Sequence, residues 1–157
     1  MFEATLSIDL GASYTKLAYR PACVPEHTGT LQEEAKVLRI DKSPLIPSLA
    51  IRTRDAGQPW FFGVTAAGMH PNQEMQVFQN WKAHLFNPQT DEDSVTAAII
   101  AHRFFEWLRT KLESMSIDVK KCQTRIAMPA FDTFDKNAVL LARCMDLSGW
   151  KEVDPIL

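Results

Sequence analysis

Glycine and cysteine are scarce in this chain of 157 residues, with six and three copies respectively. Cys23, Cys122 and Cys144 are widely spaced and odd in number, which excludes both a zinc-type spacing and a disulfide framework. Neither charge dominates: 17 basic residues face 19 acidic ones, a formal net charge of -2, and no basic cluster suggests a nucleic-acid or membrane surface. Apolar runs are broken within a few residues, so no membrane-spanning helix is predicted. The first residues follow a strand pattern and lack the basic start and apolar run of a signal peptide, so the expected location is the cytoplasm. The four histidines share no metal spacing. His102 falls on the apolar side of a helix, where a satisfied, half-buried imidazole is expected.

A hydrophobic fraction of 46% is enough for one ordinary domain with a real core. The most informative stretch runs from Leu6 to Tyr19: an alternating strand, an Asp-x-Gly turn and a returning strand. Such a hairpin can hold a ligand at its tip. Gly11 admits backbone angles closed to other residues and close approach to the main chain. Ser13, Thr15 and the turn amides offer donors, Lys16 a cation and Asp9 a carboxylate, a set suited to phosphate oxygens beside a hydrated divalent metal.

Farther on, residues 35–40 alternate as a third strand, and Pro44 and Pro47 mark entry into an inserted subdomain. Short strands are expected at 49–51 and 60–62 around the Asp55-Ala56-Gly57 turn, a short helix at 65–69, and a helical stretch over 73–86. The clearest helix is 93–115, capped by Thr90 or Asp91. Its expected core face carries Val95, Ala98, Ile99, His102, Phe105, Leu108, Leu112 and Met115, broadened by Phe104 and Trp107. A strand at 124–128 follows, then a helix from an Asp132/Asp135 capping box to Leu147, and a last strand from Val153. Trp81, Trp107 and Trp150 are expected as packing residues.

The hairpin resembles the first phosphate loop of the actin, sugar-kinase and 70-kDa heat-shock protein superfamily. Further segments follow in the order of the heat-shock, DnaK-like branch. Residues 46–51 look like its Pro-Ser strand, 62–67 like its Gly-x-x-Ala helix start, and 78–85 like the stretch with its catalytic lysine. Residues 125–131 resemble its strand ending in Val-Pro-Ala, 142–150 its helix with a glycine turn, and 153–155 its acid-Pro strand. The resemblance implies a ribonuclease-H-like (actin-like ATPase) half-lobe, a mixed α/β sheet with flanking helices and an inserted small subdomain. The core would be residues 1–41 and 116–157, with the insert and its long helix at 42–115. It implies ATP or ADP with Mg2+ as the ligand of the whole protein. Asp9 would sit at the metal's water shell, and Gly11, Ala12, Ser13 and Tyr14 would line the phosphates. Lys82 would contact the γ-phosphate and water, Lys16 matches a phosphate lysine of actin, and Pro129 matches the proline switch. Asp154 would reach the metal through water, one methylene shorter than the family's glutamate.

Two departures stand out. Ala12 lacks the usual threonine hydroxyl, and Lys16 replaces a small or apolar residue. The family's second phosphate loop, adenosine motif and polypeptide-gripping β-sandwich do not occur before Leu157. The expectation is therefore an N-terminal part of a chaperone-type ATPase, binding ATP weakly or not at all by itself. Polypeptide clients or co-chaperones would engage the missing part, and apolar surface left bare by half a lobe would favour self-association. Two further readings remain open: an actin-like or pilus-assembly ATPase, supported by Lys16, and a nucleotide-independent scaffold, supported by Ala12 and Asp154.

Overall fold

In the computed structural model the described residues are 2–22, 34–54, 57, 59–88, 90–129, 134–151 and 153–156. Cys23, Pro25, His27, Gly29, Asp55, Ala56, Ala130, Phe131, Asp132 and the side chain of Asp135 lie outside them. The fold is α/β: a mixed sheet, a smaller antiparallel sheet, and helices against them.

Strand β1 (Ala4–Leu10) buries Ala4, Leu6, Ile8 and Leu10 and turns Ser7 and Asp9 outward, the alternation of a strand with one covered face. It pairs antiparallel with β2 (Tyr14–Pro21), which pairs with the short β3 (Lys36–Val37) and with β4 (Ile46–Pro47). The predicted third strand is thus only two residues long. One further ladder bond runs from the Leu38 amide to the Leu17 carbonyl at 2.9 Å, the Leu38 and Ile40 side chains enter the core, and left-handed backbone at Asp41 and Lys42 then turns the chain. The order β3-β2-β1 continues through β8 (Cys122–Ala127) and β9 (Val153–Ile156), both parallel to β1. The small sheet has the order β6-β5-β7, from Leu49–Thr53 (β5), Trp60–Phe62 (β6) and Met75–Gln79 (β7).

Residues 73–86 are therefore not one helical stretch. Met75–Gln79 is a strand, Asn80 takes a left-handed φ of 55°, and only then does α2 (Trp81–Phe86) begin. Between β6 and β7 lies α1 (Gly63–Ala67). Gly63 opens it at a φ of +62°, and a Cβ there would stand 3.1 Å from the Trp107 ring. Left-handed strain and overpacking then act together. Gly63→Ala is expected to lower the unfolding free energy by about 2–3 kcal/mol, read as a lower urea midpoint at unchanged slope.

Helix α3 (Asp91–Ser114) begins at Thr90, whose hydroxyl accepts from the Asp93 amide at 3.1 Å, with three acids in its first turn. Its core face is rotated from the expected one. Ala97, Ile100, Ala101, Phe104, Phe105, Leu108 and Leu112 are buried, whereas Val95 is 61% and Ile99 48% exposed. Phe104 sets the rotation, because it packs on Phe62, Trp81, Phe105 and Trp107 at once. Helix α4 (Phe134–Leu147) is fastened to α3 through the turn that follows it. Arg109 Nε donates to the Ser148 carbonyl at 3.0 Å, Trp150 Nε1 to the Phe105 carbonyl at 3.1 Å, and His102 Nδ1 lies 2.9 Å from Ser148 Oγ. His102 is accordingly a half-buried, satisfied imidazole, and Trp81 and Trp150 are core residues. No helix among the described residues is long and apolar enough to cross a membrane.

Candidate functional site

The parallel strands β1 and β8 end at one edge of the large sheet, Asp9 in register with Ala127. Crevices outside the carboxyl ends of such strands are where open α/β sheets place ligands. The hairpin tip lies at this edge, and the start of α2 reaches it from the small sheet. Asn80 ends the extended run and Trp81 anchors in the core, which directs Lys82 inward.

Lys82 is 1% exposed, an environment lysine almost never occupies without partners. Its Nζ donates to the Gly11 carbonyl at 3.0 Å and to Thr15 Oγ1 at 2.6 Å. The ammonium also lies 5.7 Å from the Trp81 ring centre and 5.9 Å from that of Phe104. Burial pulls its pKa from 10.5 down to about 7, opposed by the negative charge of Asp9. The cation thus reaches across 67 residues of sequence to the turn of the hairpin, and it is not a solvated surface lysine.

The other candidates divide between the two faces of the hairpin. Asp9 is exposed at the end of β1, directly across from Lys16, which is also exposed. Neither is within 4.0 Å of an opposite charge among the described residues. Thr15, the neighbour of Lys16, points to the buried face, so β2 separates the two lysines. Gly11 does not use a positive φ; a Cβ there would instead stand 3.1 Å from the Tyr14 carbonyl. Its contribution is room for the tight turn and a carbonyl for Lys82. Ala12, Ser13 and Tyr14 are exposed, and the amides of Ala12 and Ser13 donate to no group among the described residues. The Ser13 carbonyl accepts from the Ser48 amide at 2.8 Å, tying the tip to the small sheet.

A cavity of about 250 Å³ opens at this junction, lined by Ser13, Tyr14, Ser48, Gln79 and Asn80 among others. The Ser48 hydroxyl is buried and has no hydrogen-bond partner among the described residues. Buried polar groups are normally paired, so an unpartnered hydroxyl at a ligand-sized opening is informative. Ser48 is the polar group that sequence reasoning did not place in the site, since it lies between two short strands with no pattern to mark it. Thr15, expected as a donor at the hairpin tip, is instead buried and accepts from Lys82.

Pro129 follows β8 at the same sheet edge and is half-buried. Asp154 is in register with Arg125, which is in register with Ser7. It therefore sits two strands across and two residues back from Asp9, about 12 Å by strand spacing and rise. Among the described residues no three His, Cys, Asp or Glu side chains converge as metal ligands. Magnesium asks for less than such a cluster, because it keeps several waters and uses one or two carboxylates plus phosphate oxygens. Asp9, exposed beside the free turn amides, fits that demand. No protein-family model and no curated protein matches this chain.

Proposed function

We propose that this chain supplies the phosphate side of a Mg-ATP site, as the first, ribonuclease-H-like half-lobe of a DnaK-like ATPase with a chaperone-type role. The observation that carries the reading is the buried Lys82, held on Gly11 and Thr15 at the turn of an Asp-x-Gly hairpin. The element order supports it too: three strands, an inserted small sheet, helix, strand, helix, strand, with β1, β8 and β9 parallel. Bound with the nucleotide, Mg2+ would spread charge over the phosphates. Asp9 would hold its water shell, the Ala12 and Ser13 amides would hold phosphate oxygens, and Lys82 would place positive charge near the γ-phosphoryl group as it passes from ADP, the leaving group, to water. The second phosphate loop and the adenosine site belong, on this reading, to a second lobe. Polypeptide clients or co-chaperones would engage the whole protein, which is expected to be cytoplasmic.

A second reading is a nucleotide-independent scaffold, favoured by the fact that Lys82 already has two protein acceptors. One measurement separates the two. In a chain carrying 13C-labelled lysine, Lys82 should titrate near pH 7. Magnesium pyrophosphate at millimolar concentration should raise that midpoint by about one unit or more, because phosphate charge favours the ammonium. An unmoved midpoint would favour the scaffold.

A further inference from the structure

Strand β7 is an edge of the small sheet, with β5 on one side and no strand on the other among the described residues. The Arg54 amide donates to the Glu74 carbonyl at 2.8 Å, and the register continues Arg52↔Gln76 and Ala50↔Phe78. Alternation in an antiparallel pair then turns the Gln76 and Phe78 backbone groups toward β5, and those of Val77 and Gln79 outward. Beside this edge lies a cavity of about 270 Å³ between β7, α2 and α3. Val77, Trp81, Ala97 and Ile100 give it apolar wall, while Glu92 and Asp93 of the first α3 turn stand on its lining. Neither carboxylate is within 4.0 Å of a cation among the described residues. Trp81, 2% exposed, carries an indole N–H with no hydrogen-bond partner among the described residues.

We propose that the β7 edge and this cavity bind an extended polypeptide that adds as a strand and places one lysine or arginine side chain in the cavity. Outward N–H and C=O groups are the template for strand addition, and natural proteins seldom leave such an edge bare and uncharged. Apolar wall beside two carboxylates suits a long basic side chain, whose methylenes pack while its head stays with the charges. An acidic or short side chain gains neither contact. This surface shares Gln79 and the neighbouring Trp81 with the surroundings of the phosphate site, and the inference stands independently of ATP binding.

The test is fluorescence anisotropy with a short labelled peptide of alternating valine and threonine and a central arginine. Two controls accompany it, one with central glutamate and one N-methylated at alternate amides. The arginine peptide should bind about tenfold or more tighter than either. Glu92→Gln with Asp93→Asn should erase the arginine preference, and Val77→Pro should block binding, since it removes an outward N–H without breaking a bond to β5. Circular dichroism confirms that each variant is folded; should Val77→Pro fail to fold, the N-methylated peptide alone decides strand addition. Equal binding of arginine and glutamate peptides, no effect of N-methylation, or no binding by folded protein would overturn the proposal. So would a dimer in sedimentation equilibrium that Val77→Pro dissolves in the absence of peptide binding, which would make a second copy the occupant.

Discussion

Lys82→Met is expected to make the protein more stable at pH 6 and less stable than wild type at pH 10, with the two stability curves crossing between. The sign follows from linkage. Burial holds the folded-state pKa of Lys82 near 7 against 10.5 for a free side chain. Below pH 7 both states carry the proton, and the full cost of burying an ammonium weighs on the folded state. Between pH 7 and 10.5 the unfolded chain binds a proton that the folded chain has released, so wild-type stability rises with pH at up to about 1.4 kcal/mol per unit. Summed over that window the rise is about 4–5 kcal/mol. Methionine carries no such charge and fills a similar volume, so at pH 6 the variant should gain about 1–3 kcal/mol, as when a buried ionic group is replaced by a packed hydrophobe. At pH 10 it loses instead, because the buried Thr15 hydroxyl no longer has its 2.6 Å partner while neutral lysine would still supply one. Urea unfolding at pH 6, 8 and 10 checks this. Parallel wild-type and variant curves would mean that Lys82 does not titrate from the buried position. On the proposed reading, a buried cation that lowers stability at neutral pH beside the hairpin turn is what a functional site looks like when stability and activity compete.

How legible this was differs by residue. The hairpin could be read directly, because Leu6, Ile8 and Leu10 alternate with Ser7 and Asp9 and the turn chemistry is local. The start of α3 was equally local, since Thr90 and the acids behind it interact within one turn. Its buried face was not. Val95, Ile99 and Met115 obey the helical period as well as Ala97, Ile100 and Phe104 do, and only the aromatic cluster in space chooses between the two stripes. Met75–Gln79 fits both a strand and a helix by composition, and the left-handed Asn80 that decides the matter leaves no periodic trace. Lys82 was chosen by motif order, but its burial depends on Thr15 and Gly11, about seventy positions earlier, which no pattern in one strand can reveal. Gly11 was singled out for conformational freedom and turned out to matter for space.

On the proposed reading, Asp9→Asn and Lys82→Ala each lower ATP turnover by about 10²–10³-fold in the assembled ATPase. The two losses should differ in kind. Asp9 stands at the exposed end of β1 and would act through the water shell of magnesium, so its variant should need more Mg2+ for half-maximal rate. Lys82 would act on charge that develops during phosphoryl transfer, so its variant should lose turnover with little change in the metal requirement. Thr15→Val keeps the lysine but removes one of its two acceptors, and an intermediate loss of turnover would mark Thr15 as a positioning residue. Lys16 is the counter-test, because β2 puts it on the face opposite Thr15, across from Asp9. If Lys16→Ala abolishes hydrolysis while Lys82→Ala leaves it intact, the cation of the reaction lies on the exposed face of the hairpin. The actin-like reading would then replace the chaperone-type one. Steady-state kinetics of the four variants at several magnesium concentrations decide between them, since only the buried-lysine arrangement makes Lys82 and Thr15 fail together.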